Sequence, residues 1–111
     1  MSRMRTKLVR NLTPQERLNC RRLTLRTGSM RGALNYSIQW DEPARVFMIE
    51  DKGRLLAWAL LFPYLKNEPW AYFYTRKTCR RRGYGTWLFR AVKQREADAK
   101  VCWWPGYGGD E

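Results

Sequence analysis

Apolar residues gather into three short runs between residues 45 and 75, and turn residues separate these runs. The runs are RVFMIE (Arg45–Glu50), RLLAWALLF (Arg54–Phe62) and WAYFYT (Trp70–Thr75). Their lengths and compositions predict strands, and the almost wholly apolar middle run predicts a strand that is buried on both faces. The turns Asp51-Lys52-Gly53, with Gly53 in the left-handed position, and Asn67-Glu68-Pro69 predict an antiparallel meander.

An apolar stripe with helical spacing follows this meander. Its members are Tyr84, Trp87, Leu88, Ala91 and Val92. The stripe predicts an amphipathic helix that ends near Ala99, supported by Glu96 and Lys100 as a pair four residues apart. A last strand is predicted over Val101–Trp104, followed by the polar tail PGYGGDE.

The N-terminal part of the chain carries weaker signals. A short strand is predicted over Lys7–Leu12. Three residues then mark the start of a helix, with Thr13 as N-cap, Pro14 in the first turn and Glu16 closing a capping box. This helix should run to about Thr27 and end at Gly28, and a second short helix is predicted over Met30–Tyr36.

Length and composition indicate one folded domain. The 111 residues fit a single domain (1–111), and an apolar content of 44% is enough for a core. No apolar window is long enough to span a bilayer, and MSRMRTKLVR lacks the apolar stretch of a signal peptide, so we expect neither a membrane span nor secretion. Cys20, Cys79 and Cys102 are far apart, which suits free thiols in the cytoplasm.

The chemistry open to this chain is limited, because the sequence contains no histidine. Ser-His and Cys-His nucleophiles and histidine-containing zinc sites are thereby excluded. The sequence has no CxxC pair either, so we expect no metal. Any catalysis must use carboxylates, tyrosines, thiols or backbone groups.

A formal net charge of +12 indicates an anionic partner. Nucleic acid, an acidic protein and a phosphorylated cofactor are the candidates. The basic residues expected to attract a macromolecular partner lie in the N-terminal third of the chain: Arg17, Arg21, Arg22, Arg26 and Arg31.

The stretch RRRGYGTW, residues 80–87, lies between an aromatic strand and the first turn of the amphipathic helix. A helix start offers backbone N–H groups and a partial positive charge, and Gly83 and Gly85 carry no side chain that would hold a ligand away. These features predict a cradle for a pyrophosphate. The alternative is a helix-entry turn with solvated arginines. The stretch is neither a P-loop, because Thr86-Trp87 follows Gly85, nor a Rossmann fingerprint, which needs a third glycine.

Arg80-Arg81-Arg82-Gly83-Tyr84-Gly85 resembles the acetyl-CoA motif Arg/Gln-x-x-Gly-x-Gly/Ala of the GNAT (GCN5-related) N-acetyltransferases, and FMIEDKGRLLAWALLFPY resembles the hairpin that precedes it. The resemblance covers about residues 44–104. It implies an α/β (α+β) fold in which helices flank a central mixed, mostly antiparallel sheet whose C-terminal part is shortened. It also implies acetyl transfer from acetyl-CoA to an amine.

By the same resemblance, the backbone of Phe73, Tyr74 and Thr75 pairs with the pantetheine arm of acetyl-CoA and polarises the thioester carbonyl. The pyrophosphate-binding residues are then Arg80, Arg81, Arg82, Gly83, Tyr84, Gly85 and Thr86. Relatives often use a glutamate near the start of that strand as general base. Glu68 lies there, apparently one residue out of register, and Glu50 is the second choice; either could be a surface carboxylate.

Only Pro105–Glu111 follows the last predicted strand, where members of the family usually continue with a helix and two more strands. We therefore expect an open acceptor site or completion by a partner, a homodimer included. Tyr107 is a candidate for the general acid that reprotonates the CoA thiolate; the alternative is a flexible tail. The small size and short C-terminus suggest a phage or mobile-element product that acts on a host target.

The sequence thus predicts an N-acetyltransferase whose acceptor is an anionic macromolecule, such as a protein with an acceptor lysine or N-terminus, or a charged transfer RNA. Two alternatives stay open. One is a basic module that binds nucleic acid through phosphate contacts and aromatic stacking without chemistry. The other is a GNAT fold that has lost catalysis and blocks an acidic host protein.

Overall fold

The structure, a computed structural model, describes residues 2–24, 28–62 and 68–102. In these ranges the chain forms five strands, three α-helices and two short 3-10 helices. In chain order they are β1 (Arg3–Leu8), a 3-10 turn (Val9–Asn11), α1 (Pro14–Leu23), α2 (Gly28–Gln39), β2 (Arg45–Asp51), β3 (Arg54–Phe62), β4 (Trp70–Thr75), a second 3-10 turn (Lys77–Cys79), α3 (Tyr84–Arg95) and β5 (Lys100–Cys102). No helix in the described ranges is long and apolar enough to cross a membrane.

One five-stranded sheet, in the order β1-β2-β3-β4-β5, organises the chain. The first four strands are antiparallel neighbours, and β5 runs parallel to β4. The predicted fold class, a mixed and mostly antiparallel sheet flanked by helices, is confirmed. The predicted bounds of β3 and β4 are confirmed as well, and β2 is one residue longer than predicted.

The register places several chain segments at one end of the sheet, which we call the loop end. The start of β1 lies there because Arg3 pairs with Glu50, and the end of β4 lies there because Thr75 pairs with Ala57. The β2–β3 turn is at the same end. Its Lys52 and Gly53 both have positive φ, 53° and 78°, as in the tight turns that match the twist of a hairpin. The predicted left-handed Gly53 is confirmed.

Two apolar clusters pack on the two faces of the sheet. On one face, α1 and α2 contribute Cys20, Met30 and Leu34, which meet Trp58 and Leu60 of β3. On the other face, α3 contributes Leu88 and Val92 to a cluster with small residues of β3 and β4, namely Ala57, Ala59 and Ala71. Every residue from Leu55 to Phe62 is buried, so the prediction of a strand buried on both faces is confirmed.

The first predicted strand was placed too late in the chain. The strand is Arg3–Leu8, and Val9–Asn11 forms a 3-10 turn instead of continuing it to Leu12. Alternating cations concealed this edge strand from a search for apolar runs. Arg5 and Lys7 are tolerated because carboxylates of α1 and β2 meet them across the sheet.

The capping box of α1 is confirmed. The Glu16 N–H donates to Thr13 Oγ1 at 3.1 Å, and the Thr13 N–H donates to Glu16 Oε1 at 2.9 Å. The predicted end near Thr27 was wrong: the helix ends at Leu23, where the Thr24 hydroxyl donates to the Cys20 carbonyl at 2.7 Å. Thr27 itself lies outside the described residues, and α2 spans Gly28–Gln39 rather than Met30–Tyr36.

The end of α3 also differs from its prediction. The helix ends at Arg95, not Ala99, because Glu96 leaves the helical backbone region and the Lys93 ammonium donates to the carbonyls of Ala97 and Ala99. The predicted Glu96–Lys100 pair therefore lies outside any helix, and Lys100 instead pairs with Glu68 at 3.0 Å.

The core-facing row of α3 is Gly85, Leu88 and Val92, whereas Trp87 of the predicted stripe is 38% exposed. The last strand, predicted over Val101–Trp104, begins one residue earlier, at Lys100. Residues 103 and 104 and the predicted tail lie outside the described residues.

A network of four charges fastens α1 to the sheet. Glu16 accepts hydrogen bonds from Lys7 at 2.8 Å and from Arg5 at 2.7 Å, and Arg5 also holds Glu50 at 2.6 Å. Burial alone would raise the pKa of Glu16. Hydrogen bonds from Lys7, the Thr13 N–H and Arg5 outweigh that effect and lower the pKa from 4.5 to about 2.

We expect this network to make stability depend on acid. Because the folded-state pKa of Glu16 is depressed, its contribution is present above the unfolded pKa of about 4.5 and is lost as the pH falls through about 2. The loss should be roughly 2–3 kcal/mol. Urea unfolding between pH 5 and pH 2 measures it, with Glu16→Gln as the matched variant. The variant should have a lower free energy of unfolding at neutral pH, and that free energy should fall less on acidification. An equal dependence of the unfolding free energy on pH in both proteins would contradict the assignment.

Candidate functional site

The segment between β4 and α3 is a compact loop in which two residues have left-handed backbones. After the 3-10 turn Lys77–Cys79, Arg81 has φ 64° and Gly83 has φ 83°. Gly83 is the N-cap of α3 and offers no side-chain oxygen to the first turn. The N–H groups of a first helical turn have no partners within the helix itself, so α3 starts with donors directed at the loop end. We call Arg80–Thr86 the glycine loop.

The two glycines of this loop have different surroundings. A Cβ at Gly83 would meet no described atom within 4 Å, so the space beside it is open, and its positive φ favours glycine. Gly85 is buried in the row of α3 that faces the sheet. Gly83 therefore has the geometry predicted for a cradle, whereas Gly85 serves the close approach of α3 to the sheet.

The arginines of the loop also differ from one another. The Arg80 Nε–H donates to the Thr75 carbonyl at 3.3 Å, and its guanidinium lies 5.8 Å from the ring centre of Tyr74. Arg80 thus braces the end of β4. Arg81 and Arg82 are exposed and add positive charge beside the start of α3. An open Gly83 backbone, a helix N-terminus and two exposed guanidiniums fit the phosphates of acetyl-CoA.

One further contact helps to fix the position of the start of α3. Tyr84 Oη lies 3.0 Å from Ser2 Oγ, so the residue that precedes β1 contacts the first turn of the helix. Thr86, two residues after Tyr84, is exposed. The structure therefore brings all the predicted pyrophosphate-binding residues together at the loop end of the sheet.

The β4 residues predicted to lie along the pantetheine arm occupy the half of the strand next to this loop. Phe73 is buried on the α3 face, with its ring 6.3 Å from that of Phe89. Tyr74 packs on the opposite face, and Thr75 is 5% exposed. As described, β5 runs beside Trp70–Tyr72, so Phe73–Thr75 continue from that paired region toward the loop end.

The two candidate bases lie at opposite ends of the sheet. Glu68 precedes β4 and is roughly 20 Å of extended chain from Thr75. Its carboxylate accepts from Trp70 Nε1 at 3.2 Å and pairs with Lys100 at 3.0 Å. Glu50 is at the loop end, where Arg5 donates to both of its oxygens, at 2.6 and 3.2 Å. The candidate acid, Tyr107, lies outside the described residues.

Sequence reasoning missed a cleft at the loop end. An open space of about 810 Å³ lies between the end of α1, the β2–β3 turn and the segment after β4. Arg22, Arg54, Arg76 and Lys77 line it together with Tyr74, and its described lining contains no Asp or Glu. No local pattern could have found this site, because its cations come from distant parts of the sequence. Only Arg22 was among the arginines singled out for a macromolecular partner.

Among the described residues, no three Cys, Asp or Glu side chains come together as a metal site would need. The thiol of Cys20 is buried, which raises its pKa to about 12 and makes it a poor nucleophile. The groups that the described residues offer are backbone donors and guanidiniums at the loop end, together with the carboxylates of Glu50 and Glu68 at the two ends of the sheet.

Comparison with known proteins gives consistent results. The model of the acetyltransferase (GNAT) family matches residues 14–104. An acyl-CoA N-acyltransferase from Pseudomonas aeruginosa superposes with a TM-score of 0.68 at 16% identity, over 91% of this chain and 78% of that one. A ribosomal-protein-alanine N-acetyltransferase from Brucella melitensis biovar Abortus gives 0.58 at 10% identity, over 95% and 80%.

An aminoglycoside N-acetyltransferase in complex with CoA is similar as well, with a TM-score of 0.62 at 13% identity over 96% of this chain and 80% of that one. At such identities the superpositions show a shared fold. No curated protein matches the sequence.

Gly83→Val should weaken CoA binding at least about tenfold, or about 1.4 kcal/mol, because a branched side chain would fill the open space beside the start of α3. The positive φ of Gly83 adds a folding cost of about 1–2 kcal/mol. Gly53→Val is the matched control, since Gly53 also has a positive φ and open space around a Cβ. Calorimetry should show weakened CoA binding for Gly83→Val alone. Equal CoA affinities in the two folded variants would contradict the assignment of Gly83 to the pyrophosphate site.

Proposed function

The chain belongs to the acetyltransferase (GNAT) family and is an acyl-CoA N-acyltransferase with acetyl-CoA as co-substrate; we propose that its acceptor is an amine carried by an anionic macromolecule or by its complex with nucleic acid. A protein lysine or N-terminus and the aminoacyl group of a charged transfer RNA are the acceptor types that this proposal includes. The observation that carries the acceptor assignment is the net charge of +12, together with a cleft at the loop end whose described lining holds four cations and no Asp or Glu. The glycine loop, whose open Gly83 backbone and exposed arginines adjoin the start of α3, supports binding of the co-substrate.

The proposed mechanism assigns binding to the glycine loop and alignment to β4. Acetyl-CoA supplies an acyl group activated as a thioester. The first turn of α3, together with Arg81 and Arg82, binds the pyrophosphate. The backbone of Phe73–Thr75 aligns the pantetheine arm, and a backbone N–H there stabilises the charge that develops on the thioester oxygen. Arg80 keeps the end of β4 in place through its hydrogen bond to Thr75.

Glu68 is the proposed acceptor of the amine proton through a chain of waters, because the pantetheine arm would run from the glycine loop back along β4 toward the start of the strand, where Glu68 lies. Its cationic partner, Lys100, has a side chain that is 58% exposed, so solvent screens this pair and competes for the ammonium. Glu50 differs because both of its oxygens accept from Arg5, whose pKa these hydrogen bonds to Glu50 and Glu16 raise. We therefore assign Glu50 to holding β1, β2 and α1 together. Tyr107 stays a prediction for the general acid.

Charge favours an anionic acceptor over a small polycation. Similar folds include an enzyme named for aminoglycosides and one named for ribosomal-protein alanine. Aminoglycosides carry several positive charges, and a chain of net charge +12 repels them. An acceptor carried by a polyanion would instead be attracted. We also propose a cytoplasmic location, supported by the buried free thiols of Cys20 and Cys79.

The direct test is calorimetry with acetyl-CoA at moderate salt, followed by CoA-release assays with a bacterial lysate separated into protein and transfer-RNA fractions. We expect one-to-one acetyl-CoA binding and release of CoA that depends on a macromolecular fraction. Release with aminoglycosides but not with either fraction would contradict the acceptor assignment. Acetyl-CoA binding without acetylation of any amine would favour the non-catalytic alternative, and binding of nucleic acid alone would favour the basic module.

Glu68→Gln should retain acetyl-CoA binding and lower the acetylation rate by about a hundredfold at neutral pH, with a smaller loss at high pH where more of the amine is already neutral. Glu50→Gln is the matched control for charge. It should keep most of its rate but lose stability, because Arg5 loses one of its two carboxylates. A reversed pattern would assign the role of general base to Glu50. Full activity of both variants would indicate that water or the acceptor itself takes the proton.

A further inference from the structure

A second, smaller cleft adjoins the basic cleft at the loop end. The smaller cleft, about 390 Å³, lies beside the β2–β3 turn, and the two clefts share Gly53. Arg3 and Lys52 line the smaller cleft, where the one carboxylate among the described lining residues is Glu50. Because Arg5 holds both oxygens of Glu50, the second cleft is also positive in character.

We call the two clefts together the basic trough; the cations that line it are Arg3, Arg5, Arg22, Lys52, Arg54, Arg76 and Lys77. It crosses the strand ends from β1 to the segment after β4. Three strand-to-strand spacings of about 4.8 Å make this distance about 15 Å. The trough is therefore a row of cations, long enough for several charges of one polymer.

The trough and the α3 helix lie on opposite faces of the sheet. Tyr74, which lines the trough, packs with the α1 and α2 cluster, whereas α3 packs on the other face. The glycine loop starts α3, so its phosphate-binding backbone belongs to that second face. The cofactor phosphates and a ligand of the trough would approach the end of β4 from two sides.

We propose that the basic trough binds the phosphodiester backbone of a single-stranded nucleic acid. Five of its seven cations are arginines, whose planar fork matches phosphate oxygens. The side chain of Arg76 is already oriented, because its Nε and one terminal nitrogen donate to the Leu55 carbonyl at 3.1 and 2.8 Å. This inference extends the proposed function, because it identifies nucleic acid as the polymer that carries the acceptor amine. In that respect it rests on the proposed function.

A docked acidic protein fits the trough less well. Protein interfaces usually depend on a few large apolar or aromatic anchors at their centre. The exposed large apolar residues of the described chain are Leu18, Tyr36, Trp40 and Trp87, and none of them lines the trough. Leu55, which does line it, is only 5% exposed. A trough with charges and few accessible apolar anchors suits a backbone of phosphates.

The test is fluorescence anisotropy with a labelled single-stranded RNA and a DNA of the same mixed sequence, each about 12 nucleotides long, a length that one small binding domain covers. Arg54→Glu combined with Lys77→Glu reverses two exposed cations of the trough. Arg90→Glu combined with Arg95→Glu is the matched control, because it makes the same change of charge at two exposed positions on α3. Polyglutamate serves as the polyanion without phosphate.

We expect the trough pair to lower oligonucleotide affinity at least about tenfold, and the control pair to lower it less than about threefold. The salt dependence should flatten by roughly two released counterions in the trough pair alone. Saturating CoA should change oligonucleotide affinity by less than about twofold. RNA and DNA should bind similarly, since the backbone phosphates are common to both.

Equal losses of oligonucleotide affinity in the two variant pairs would show that binding depends only on the net charge of the protein, and would overturn the proposal. Competition by CoA would assign the trough to the cofactor, and tighter binding of polyglutamate would assign it to an acidic protein. Thermal unfolding checks that the variants fold, and the single change Lys77→Gln, which should cost a smaller part of the affinity, replaces the pair if they do not. Failure of the wild type to bind acetyl-CoA would refute the proposed function and leave the oligonucleotide result unaffected.

Discussion

Burial of β3 on both faces is the constraint on which the rest of the structure depends. Eight consecutive residues, Leu55–Phe62, have to be removed from water, and each large apolar side chain buried this way contributes about 1.5–3 kcal/mol. A sheet strand can achieve this only if helices cover both of its faces and other strands flank it. Helices α1 and α2 cover one face, and α3 covers the other. The alanines at positions 57, 59 and 71 leave room for α3 to approach closely.

This layering also positions the site. Since β4 runs antiparallel to β3, it ends beside the β2–β3 turn, and α3 must begin at that end of the sheet to return across the second face. The glycine loop is the connection that this reversal requires, and the left-handed backbone of Gly83 makes the turn into the helix possible. On the opposite face, α1 ends near the same edge, and the space between α1 and the strand ends is the larger cleft of the basic trough.

The distribution of charge follows from how few carboxylates the chain has, and how they are used. The chain has ten acidic residues against twenty-two basic ones. A carboxylate that is paired within the fold cannot also neutralise a second cation on the surface. Glu16 and Glu50 are both held by Arg5. The loop end is thereby left strongly positive on both faces of the sheet. Phosphate groups, whether of the co-substrate or of a nucleic acid, match this potential.

The sequence alone determined the features that depend on neighbouring residues. The strands β2, β3 and β4, the turn at Gly53, the capping box at Thr13 and the family motif at Arg80–Gly85 are all local patterns, so apolar runs and turn residues were sufficient. Helix ends were predicted less well. The helix α1 stops at Leu23, before α2 begins at Gly28, and α3 stops at Arg95, before β5 begins at Lys100; single-helix signals do not contain the position of the next element.

Only the tertiary structure decided how distant charges pair and which of them share a surface. The charged strand β1 became recognisable once Glu16 and Glu50 were seen opposite Arg5, and the two candidate bases were separated to opposite ends of the sheet by the strand register. The trough brings together Arg22, Arg54 and Arg76 from three separate segments. Electrostatic interactions act between groups that folding makes adjacent, so the sequence determined the elements and the co-substrate loop, whereas the three-dimensional arrangement determined the charged surface around them.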